Sequence, residues 1–151
     1  MKETLSEILQ DAQQRASGFD VPYAGCLLPC EAHRLLHMAP GARLVDVRTR
    51  AEWDLVGFVP GSILIEWQHY PHWNLNQNFY VELRQQASPE SLIFFLCRNG
   101  QRSHLAAIAA TRAGYGQCYN ILEGFEGERD AVTGQRRMNG WKNADLPWIQ
   151  N

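Results

Sequence analysis

An apolar run that leads directly into a short polar segment and then into an alanine-rich stretch constrains the fold of this chain more than any other feature. The apolar run is residues 92–96, Leu-Ile-Phe-Phe-Leu, and the polar segment is residues 97–103, Cys-Arg-Asn-Gly-Gln-Arg-Ser. An apolar run of this length is typical of a strand buried on both faces. The passage therefore predicts a strand, a tight polar loop and a helix over about residues 103–112 in direct succession.

The rest of the chain alternates between short apolar runs and stretches in which apolar residues have helical spacing. Further strands are predicted at residues 44–47, 63–65 and 118–122, and further helices at residues 5–16, 29–38, 51–56 and 78–87. Buried strands separated by helices are typical of a parallel sheet with crossover connections. We expect an α/β fold with a mainly parallel central sheet of about five strands, flanked by helices on both faces. Residues 123–139, rich in Gly and charge, are predicted to form an irregular surface segment.

Length, charge and hydropathy limit what the chain can do. Its 151 residues, 45% of them hydrophobic, fit a compact fold with a buried core. The net charge of −2 provides no overall basic face, so we expect neither nucleic acid nor an anionic membrane as a partner. The amino-terminal residues lack the apolar core of a secretory signal, and no run of about 18 apolar residues occurs, which indicates a cytoplasmic protein without a membrane span. The four cysteines are then expected to be reduced thiols.

Cys97 stands where the predicted strand ends and the polar loop begins. Ligands of open α/β sheets bind at the carboxyl ends of strands, and loop amides at a helix amino terminus converge on anions. Arg98 and Arg102 add positive charge that does not titrate. Because the same field favours thiolate over thiol, the pattern predicts a reactive cysteine. The alternative is a buried, inert Cys97 followed by a solvated basic turn.

Several ordered segments resemble the rhodanese family over about residues 23–148. The segment 97–103 is similar to the family's catalytic loop, with Asn99 at a position often held by Ser. The family's first signature, Asp-x-Arg followed by Glu and an aromatic residue, resembles Asp46, Arg48 and residues 52–53. Residues 59–62, Val-Pro-Gly-Ser, resemble the second signature, and carboxyl-terminal landmarks resemble residues 120–125 and 140–148. The resemblance implies a rhodanese-like fold.

Two residues depart from the family pattern. Phe58 stands where many members have His, and Phe125 stands where the family often has a second Gly. We expect neither to touch the chemistry of the loop, and the change at Phe58 to affect only a hydrogen bond near a turn. We divide the chain into an amino-terminal helical extension, residues 1–20, and a rhodanese-like domain, residues 21–151. The sequence leaves open whether the extension covers the sheet or forms a dimer contact.

The family resemblance implies a sulfurtransferase of the thiosulfate type with Cys97 as its nucleophile. The Cys97 thiolate would attack a small anionic donor such as thiosulfate, release sulfite and retain a persulfide, from which a thiol, a protein acceptor or cyanide takes the outer sulfur. The residues expected to bind the donor and the persulfide are Arg98, Asn99, Gly100, Gln101, Arg102 and Ser103. By the same analogy Asp46 and Arg48 support the floor of the site, although the residues themselves favour a purely structural ion pair or turn for both. We predict no cofactor and no metal.

Two other functions fit the same family. One is a sulfur carrier or protein-interaction module that receives sulfur from a partner and has little turnover with small donors. The other is a phosphatase or arsenate reductase, but relatives with those activities have a loop of the form Cys-x5-Arg. Here four residues separate Cys97 from Arg102, and the shorter ring of amides suits sulfane sulfur better than a tetrahedral oxyanion.

Other side chains outside the loop carry reactive groups. Cys30, His33 and His37 share a helical face just after Cys26, but this face lies opposite the apolar stripe and is expected to be solvated rather than a zinc site. His104, in the first turn of its helix, could assist proton transfer, but we expect it to face solvent.

The aromatic segment 67–73, Trp-Gln-His-Tyr-Pro-His-Trp, follows a predicted strand and is placed near the sheet edge that carries Cys97. It either lines the pocket or docks a partner, or it caps the core, and the sequence leaves these possibilities open. Cys118 lies within a predicted buried strand and is expected to be inert packing.

Overall fold

The computed structural model describes residues 3–151. Residues 1 and 2, which begin the predicted extension of residues 1–20, lie outside the described residues. Within this range the strands are β1 (Gly25–Leu27), β2 (Arg43–Asp46), β3 (Ile63–Leu64), β4 (Gln68–His69), β5 (Asn74–Leu75), β6 (Ile93–Leu96) and β7 (Cys118–Ile121). The helices are α1 (Leu5–Phe19), α2 (Pro29–Met38), α3 (Arg50–Leu55), α4 (Phe79–Gln86) and α5 (Gln101–Arg112). No helix of the described part is both long and apolar enough to cross a bilayer.

Five of the strands form one parallel sheet in the order β1-β7-β6-β2-β3, which confirms the predicted α/β class and strand number. The sequence pattern indicated four of these strands and missed β1. This strand is only three residues long, begins with Gly25 and pairs with β7 at the sheet edge. A short strand that starts with glycine lacks the apolar run on which the prediction depends.

The central strands are buried on both faces. Along β2 and β6, Val45 and Phe95 pack into a core shared with α4 and α5, whereas Leu44 and Phe94 pack into a second core shared with α2 and the carboxyl-terminal Trp141. Helices therefore flank both faces, as the continuous apolar runs predicted.

Helix α1 covers the β1 edge of the sheet. Ile8 and Ala12 pack into the core on one face, and Ala16 packs into the core on the other. Arg15 forms two hydrogen bonds with the Glu31 carboxylate in α2, at 2.6 and 2.9 Å, and so fixes α1 to its neighbour. The predicted extension is thus part of the same packed structure as the sheet.

The first residues after β7 do not lie on the surface, although residues 123–139 were predicted to form an irregular surface segment. Gly124, Phe125 and Gly127 are buried, so the predicted surface segment starts only at about residue 128. Gly124 has a φ of 65°, and a Cβ atom there would lie 2.5 Å from the carbonyl oxygen of Cys97. Because the backbone approaches the Cys97 loop this closely, the segment needs glycine at that position.

Candidate active site

Cys97 is the first residue after β6, at the carboxyl edge of the sheet. Its side chain is fully buried, and its Sγ accepts a hydrogen bond from the Gly100 N–H at 3.1 Å. Gly100 has a φ of 101°, a left-handed conformation that glycine adopts readily. This conformation lets α5 begin at Gln101, two residues before the predicted start at Ser103. The Cys97 sulfur therefore lies beside the amino terminus of α5, where the helix dipole favours negative charge.

A chain of buried hydrogen bonds connects the Cys97 sulfur to β7. The Ser103 Oγ lies 3.2 Å from Cys97 Sγ and donates its proton to Asn120 Oδ1 at 2.6 Å. Asn120 Nδ2 donates to the Gly100 carbonyl oxygen at 3.2 Å, which fixes the orientation of the amide. A serine hydroxyl has one proton, so while it donates to Asn120 it can only accept from a Cys97 thiol. The sequence prediction missed Asn120, and its one signal was an amide inside an otherwise apolar strand.

Arg102 is held in a paired salt bridge with Glu52. Its Nη1 and Nη2 donate to the two carboxylate oxygens at 2.7 and 2.9 Å, and both side chains are 16% exposed. Burial by itself would raise the pKa of Glu52, but the hydrogen bonds and charge of Arg102 outweigh it and lower that pKa below its ordinary value. The Glu52 carboxylate also accepts the Thr49 N–H at the start of α3. One carboxylate therefore joins the first turns of α3 and α5.

The aromatic segment 67–73 contributes both to the core and to the site. Trp67 packs edge-to-face on Phe79 with ring centroids 5.0 Å apart. Trp73 lies with its ring 5.5 Å from the Arg102 guanidinium and is 44% exposed. Trp67 thus caps the core and Trp73 lies at the site, so each end of the segment matches one of the two possibilities that the sequence left open.

Arg98 has a different environment from Arg102. It is exposed and lines a hollow of about 460 Å³ together with Arg129, Arg136 and Arg137 from the segment after β7. Among residues 3–151, Glu126 is the one acidic residue that lines this hollow. The loop thus presents one arginine that is neutralised and one that stands among other cations.

Asp46 and Arg48 form a fully buried ion pair, with Arg48 Nη2 donating to Asp46 Oδ2 at 2.7 Å and to the Gly57 carbonyl oxygen at 2.7 Å. The Arg48 guanidinium lies 4.2 Å from the centre of the Phe125 ring. The Phe125 N–H donates to the Cys97 carbonyl oxygen at 2.7 Å. Phe125 therefore lies next to the loop, with its backbone on Cys97 and its ring on Arg48, and the expectation that it leaves the chemistry of the loop unchanged stays a prediction.

His104 does not simply face solvent, contrary to the expectation. Its Nδ1 lies 2.7 Å from the Tyr23 hydroxyl, and the ring is partly buried beside Gly100 in a second, largely apolar hollow. Tyr23 precedes β1, the strand that the sequence pattern missed, so its approach to α5 was not foreseen.

The remaining cysteines differ in burial. Cys26 and Cys118 are buried and Cys30 is exposed, and none of the four cysteines forms a disulfide within residues 3–151. Burial raises the pKa of Cys118 to about 11, so this thiol stays protonated at neutral pH and serves as packing.

Phe58 donates its N–H to the Ile149 carbonyl oxygen at 2.9 Å, which ties the carboxyl-terminal tail to the turn before β3.

The sequence matches the family model described as a rhodanese-like domain over residues 29–130. It is similar to the uncharacterized RP600 homolog of Rickettsia rickettsii, with 39% identity over 120 residues, which cover 78% of this chain and 91% of that protein. The uncharacterized protein RP600 of Rickettsia prowazekii is 37% identical over 121 residues, with the same coverage of both chains.

Two solved structures give the comparison in three dimensions. Rv0390 from M. tuberculosis is 41% identical, with a TM-score of 0.79, and the match covers 86% of this chain and 100% of that one. The polysulfide-sulfur transferase homodimer from Wolinella succinogenes is 20% identical, with a TM-score of 0.59 and coverage of 99% and 95%. At that identity the second comparison shows a shared fold.

Proposed function

This chain belongs to the rhodanese-like domain family, and on that premise we propose that it is a sulfurtransferase that carries sulfane sulfur as a persulfide on Cys97. The observation that carries the proposal is the placement of the Cys97 sulfur, 3.1 Å from the Gly100 nitrogen and 3.2 Å from the Ser103 oxygen at the start of α5. Both groups can donate hydrogen bonds to a sulfur anion, and the helix terminus adds a favourable field. The cytoplasmic location expected from the sequence belongs to the same proposal.

In the loading step the Cys97 thiolate attacks the outer sulfur of thiosulfate or of a persulfide donor. A bond forms between the two sulfurs, and the bond between the outer sulfur and the rest of the donor breaks. With thiosulfate the leaving group is sulfite, which carries away the two negative charges of the donor, and the single negative charge stays on the Cys97 persulfide. In this scheme the amides of Asn99 through Ser103 stabilise that anion; the Gly100 N–H already donates to the Cys97 sulfur, whereas the Gln101 N–H donates to Asn99 Oδ1.

In the discharge step the thiol of an acceptor gives its proton to the outer sulfur of the persulfide anion and, as a thiolate, attacks that sulfur. The bond between the two sulfurs breaks, Cys97 leaves as a thiolate, and the outer sulfur with its proton becomes the persulfide of the acceptor. Cyanide acts in the same way and leaves as thiocyanate. The Ser103 hydroxyl can turn from Asn120 toward the departing Cys97 thiolate. It can then stabilise the thiolate that ends one cycle and begins the next.

The two loop arginines have separate roles in this scheme. Arg98 is exposed and attracts the anionic donor to the loop. Arg102 uses two hydrogen bonds on Glu52, and the remaining N–H groups of its guanidinium are available to orient a donor oxygen. Asp46 and Arg48 support the site from below, since Arg48 packs on Phe125, whose N–H binds the Cys97 carbonyl.

Intact mass measured after brief thiosulfate treatment tests the proposal. We expect one added sulfur atom in the native protein and none in Cys97→Ala. Cys30→Ala is the matched control, because Cys30 is the exposed thiol, and it should gain the sulfur like the native protein. The proposal fails if the native protein gains no sulfur or if the adduct persists in Cys97→Ala.

Turnover then separates the enzyme from its alternatives. A sulfurtransferase converts thiosulfate and cyanide into thiocyanate repeatedly, whereas a carrier module gains the sulfur but shows little turnover with small molecules. Hydrolysis of an aryl phosphate that is lost in Cys97→Ser would indicate a phosphatase instead, despite the Cys-x4-Arg spacing of the loop.

A further inference from the structure

The hollow beside Arg98 is strongly cationic. Four of the residues that line it are arginines, Arg98, Arg129, Arg136 and Arg137, against the single acid Glu126. The net charge of the whole chain is −2, so this concentration of positive charge is a local property of the segment after β7. We call this site the arginine hollow.

The arginines of the hollow lack carboxylate partners. Among the described residues none of the four has a carboxylate oxygen within 4.0 Å, whereas Arg15, Arg48, Arg50 and Arg102 each form a salt bridge. Arg129 and Arg136 are instead held by backbone carbonyls, Arg129 Nε by Gly134 at 3.2 Å and Arg136 Nη1 by Gly127 at 2.8 Å. A guanidinium has five N–H groups, so each keeps donors for a ligand.

Mutual repulsion makes the arginine hollow unfavourable without a counter-charge. Burial and then the proximity of Arg98 and Arg129 lower the pKa of Arg136, with Glu126 opposing them. An anion in the hollow would relieve that repulsion. Guanidinium groups suit carboxylates in particular, because their parallel N–H bonds match the two carboxylate oxygens.

The arginine hollow is directly connected to the nucleophile. Arg98 follows Cys97 in the chain, and the Glu126 N–H donates to the Arg98 carbonyl oxygen at 3.0 Å. The neighbouring Phe125 N–H donates to the Cys97 carbonyl oxygen, so two successive hydrogen bonds align the hollow with the loop. The arginine hollow therefore adjoins the backbone of the loop that carries Cys97.

We propose that the arginine hollow binds the carboxylate groups of the sulfur acceptor, and that the acceptor is a small thiol with two or more carboxylates. This inference rests on the proposed persulfide on Cys97 and specifies its acceptor. The hollow is open to solvent, and its volume of about 460 Å³ lies in the range of small-molecule sites. The chemistry is that of the discharge step, with the hollow fixing the acceptor while its thiolate attacks.

Glutathione and its diethyl ester provide the test, because they share one thiol while the ester masks both carboxylates. The protein is loaded with thiosulfate, mixed with either thiol, and the loss of the persulfide is followed by intact mass at low ionic strength. We expect discharge to glutathione to be about tenfold more efficient than discharge to the ester, and this ratio to fall as salt is added.

Substitution of the arginines that lie away from the loop locates the effect. The double variant Arg129→Gln with Arg137→Gln should lower the glutathione preference about fivefold, while discharge to cyanide stays unchanged and thiosulfate still loads one sulfur per protein. Arg112→Gln, which removes an exposed arginine at the end of α5, should keep the full preference.

The outcomes separate this inference from the proposed function. If no persulfide forms, both fail. If the persulfide forms and discharges to cyanide, but the two thiols react equally or the double variant keeps the preference, only the assignment of the arginine hollow is overturned. Loading with one sulfur per protein also shows that the double variant is folded.

Discussion

Arg98 and Arg102 lie four residues apart in the same loop and have opposite surroundings. Arg102 is bound through two hydrogen bonds to Glu52, stands over Trp73 and is 16% exposed. Arg98 is exposed, and the other charged residues lining its hollow are three arginines and Glu126. Both are permanent cations, so the difference between them comes from what the rest of the chain places beside each.

The contrast indicates how one short loop can combine rigidity with anion binding. The charge of Arg102 is balanced by a carboxylate that also caps α3, so its main effect is to fix the first turn of α5 and hence the Cys97 loop. The charge of Arg98 is unbalanced and remains available to a ligand. We therefore expect substitutions of Arg102 to act mainly on stability and substitutions of Arg98 to act mainly on substrate use.

The largest effect is expected for Arg102→Gln. The substitution leaves the partly buried Glu52 carboxylate without its cation, and it should lower the free energy of unfolding by about 2 kcal/mol, less than for a fully buried pair. Urea denaturation at neutral pH measures the change.

The double variant Glu52→Gln with Arg102→Gln serves as its control. It leaves no unpaired charge, and glutamine can keep the hydrogen bonds that cap α3, so it should cost less than Arg102→Gln alone. If the double variant were less stable than Arg102→Gln, losing the interactions of the pair would cost more stability than leaving the Glu52 carboxylate unpaired.

A smaller effect, on a different quantity, is expected for Arg98→Gln. Loss of this cation should raise the KM for thiosulfate about tenfold with little change in kcat, because the attraction it provides is present before the chemical step. The free energy of unfolding should change by less than about 0.5 kcal/mol. Arg112→Gln is again the matched exposed control and should change neither quantity. If Arg98→Gln destabilised the protein as much as Arg102→Gln does, the contrast between the two arginines would be wrong.

Local sequence patterns were sufficient for most of the fold. The run at residues 92–96 and the segment that follows it predicted β6, the loop and α5, since a buried strand, a glycine turn and a helix start each have a local signature. Helix α2 runs over Pro29–Met38 as predicted, because a proline in its first turn and the Pro-Gly pair after it mark both ends. Strand β1 was missed because it is three residues long and begins with glycine.

The partners within the site could not be predicted in the same way. Glu52 and Arg102 are 50 residues apart, and Ser103 and Asn120 are 17 apart, so each pair forms only after the parallel strands bring their elements together. The sequence showed two arginines in the loop but not that one of them is neutralised. The arginines that surround Arg98 come from a segment read only as irregular surface, since loops have no periodicity that predicts where their side chains point.

The smallest expected effect is the pH dependence of the Arg102→Gln defect. In the native protein Arg102 holds the pKa of Glu52 below its ordinary value of 4.5, so the pair stabilises the fold above that value and this contribution is lost as pH falls through the lowered pKa. In Arg102→Gln the carboxylate is buried without a cation, and protonation then relieves the cost of burying its charge. The difference in unfolding free energy between the two proteins should therefore shrink by about 1 kcal/mol between pH 7 and pH 3.5, measured by urea denaturation. The difference between Arg98→Gln and the native protein should stay constant over the same range, because Arg98 has no carboxylate of residues 3–151 within salt-bridge distance. A parallel change would mean that the two arginines share their electrostatic surroundings.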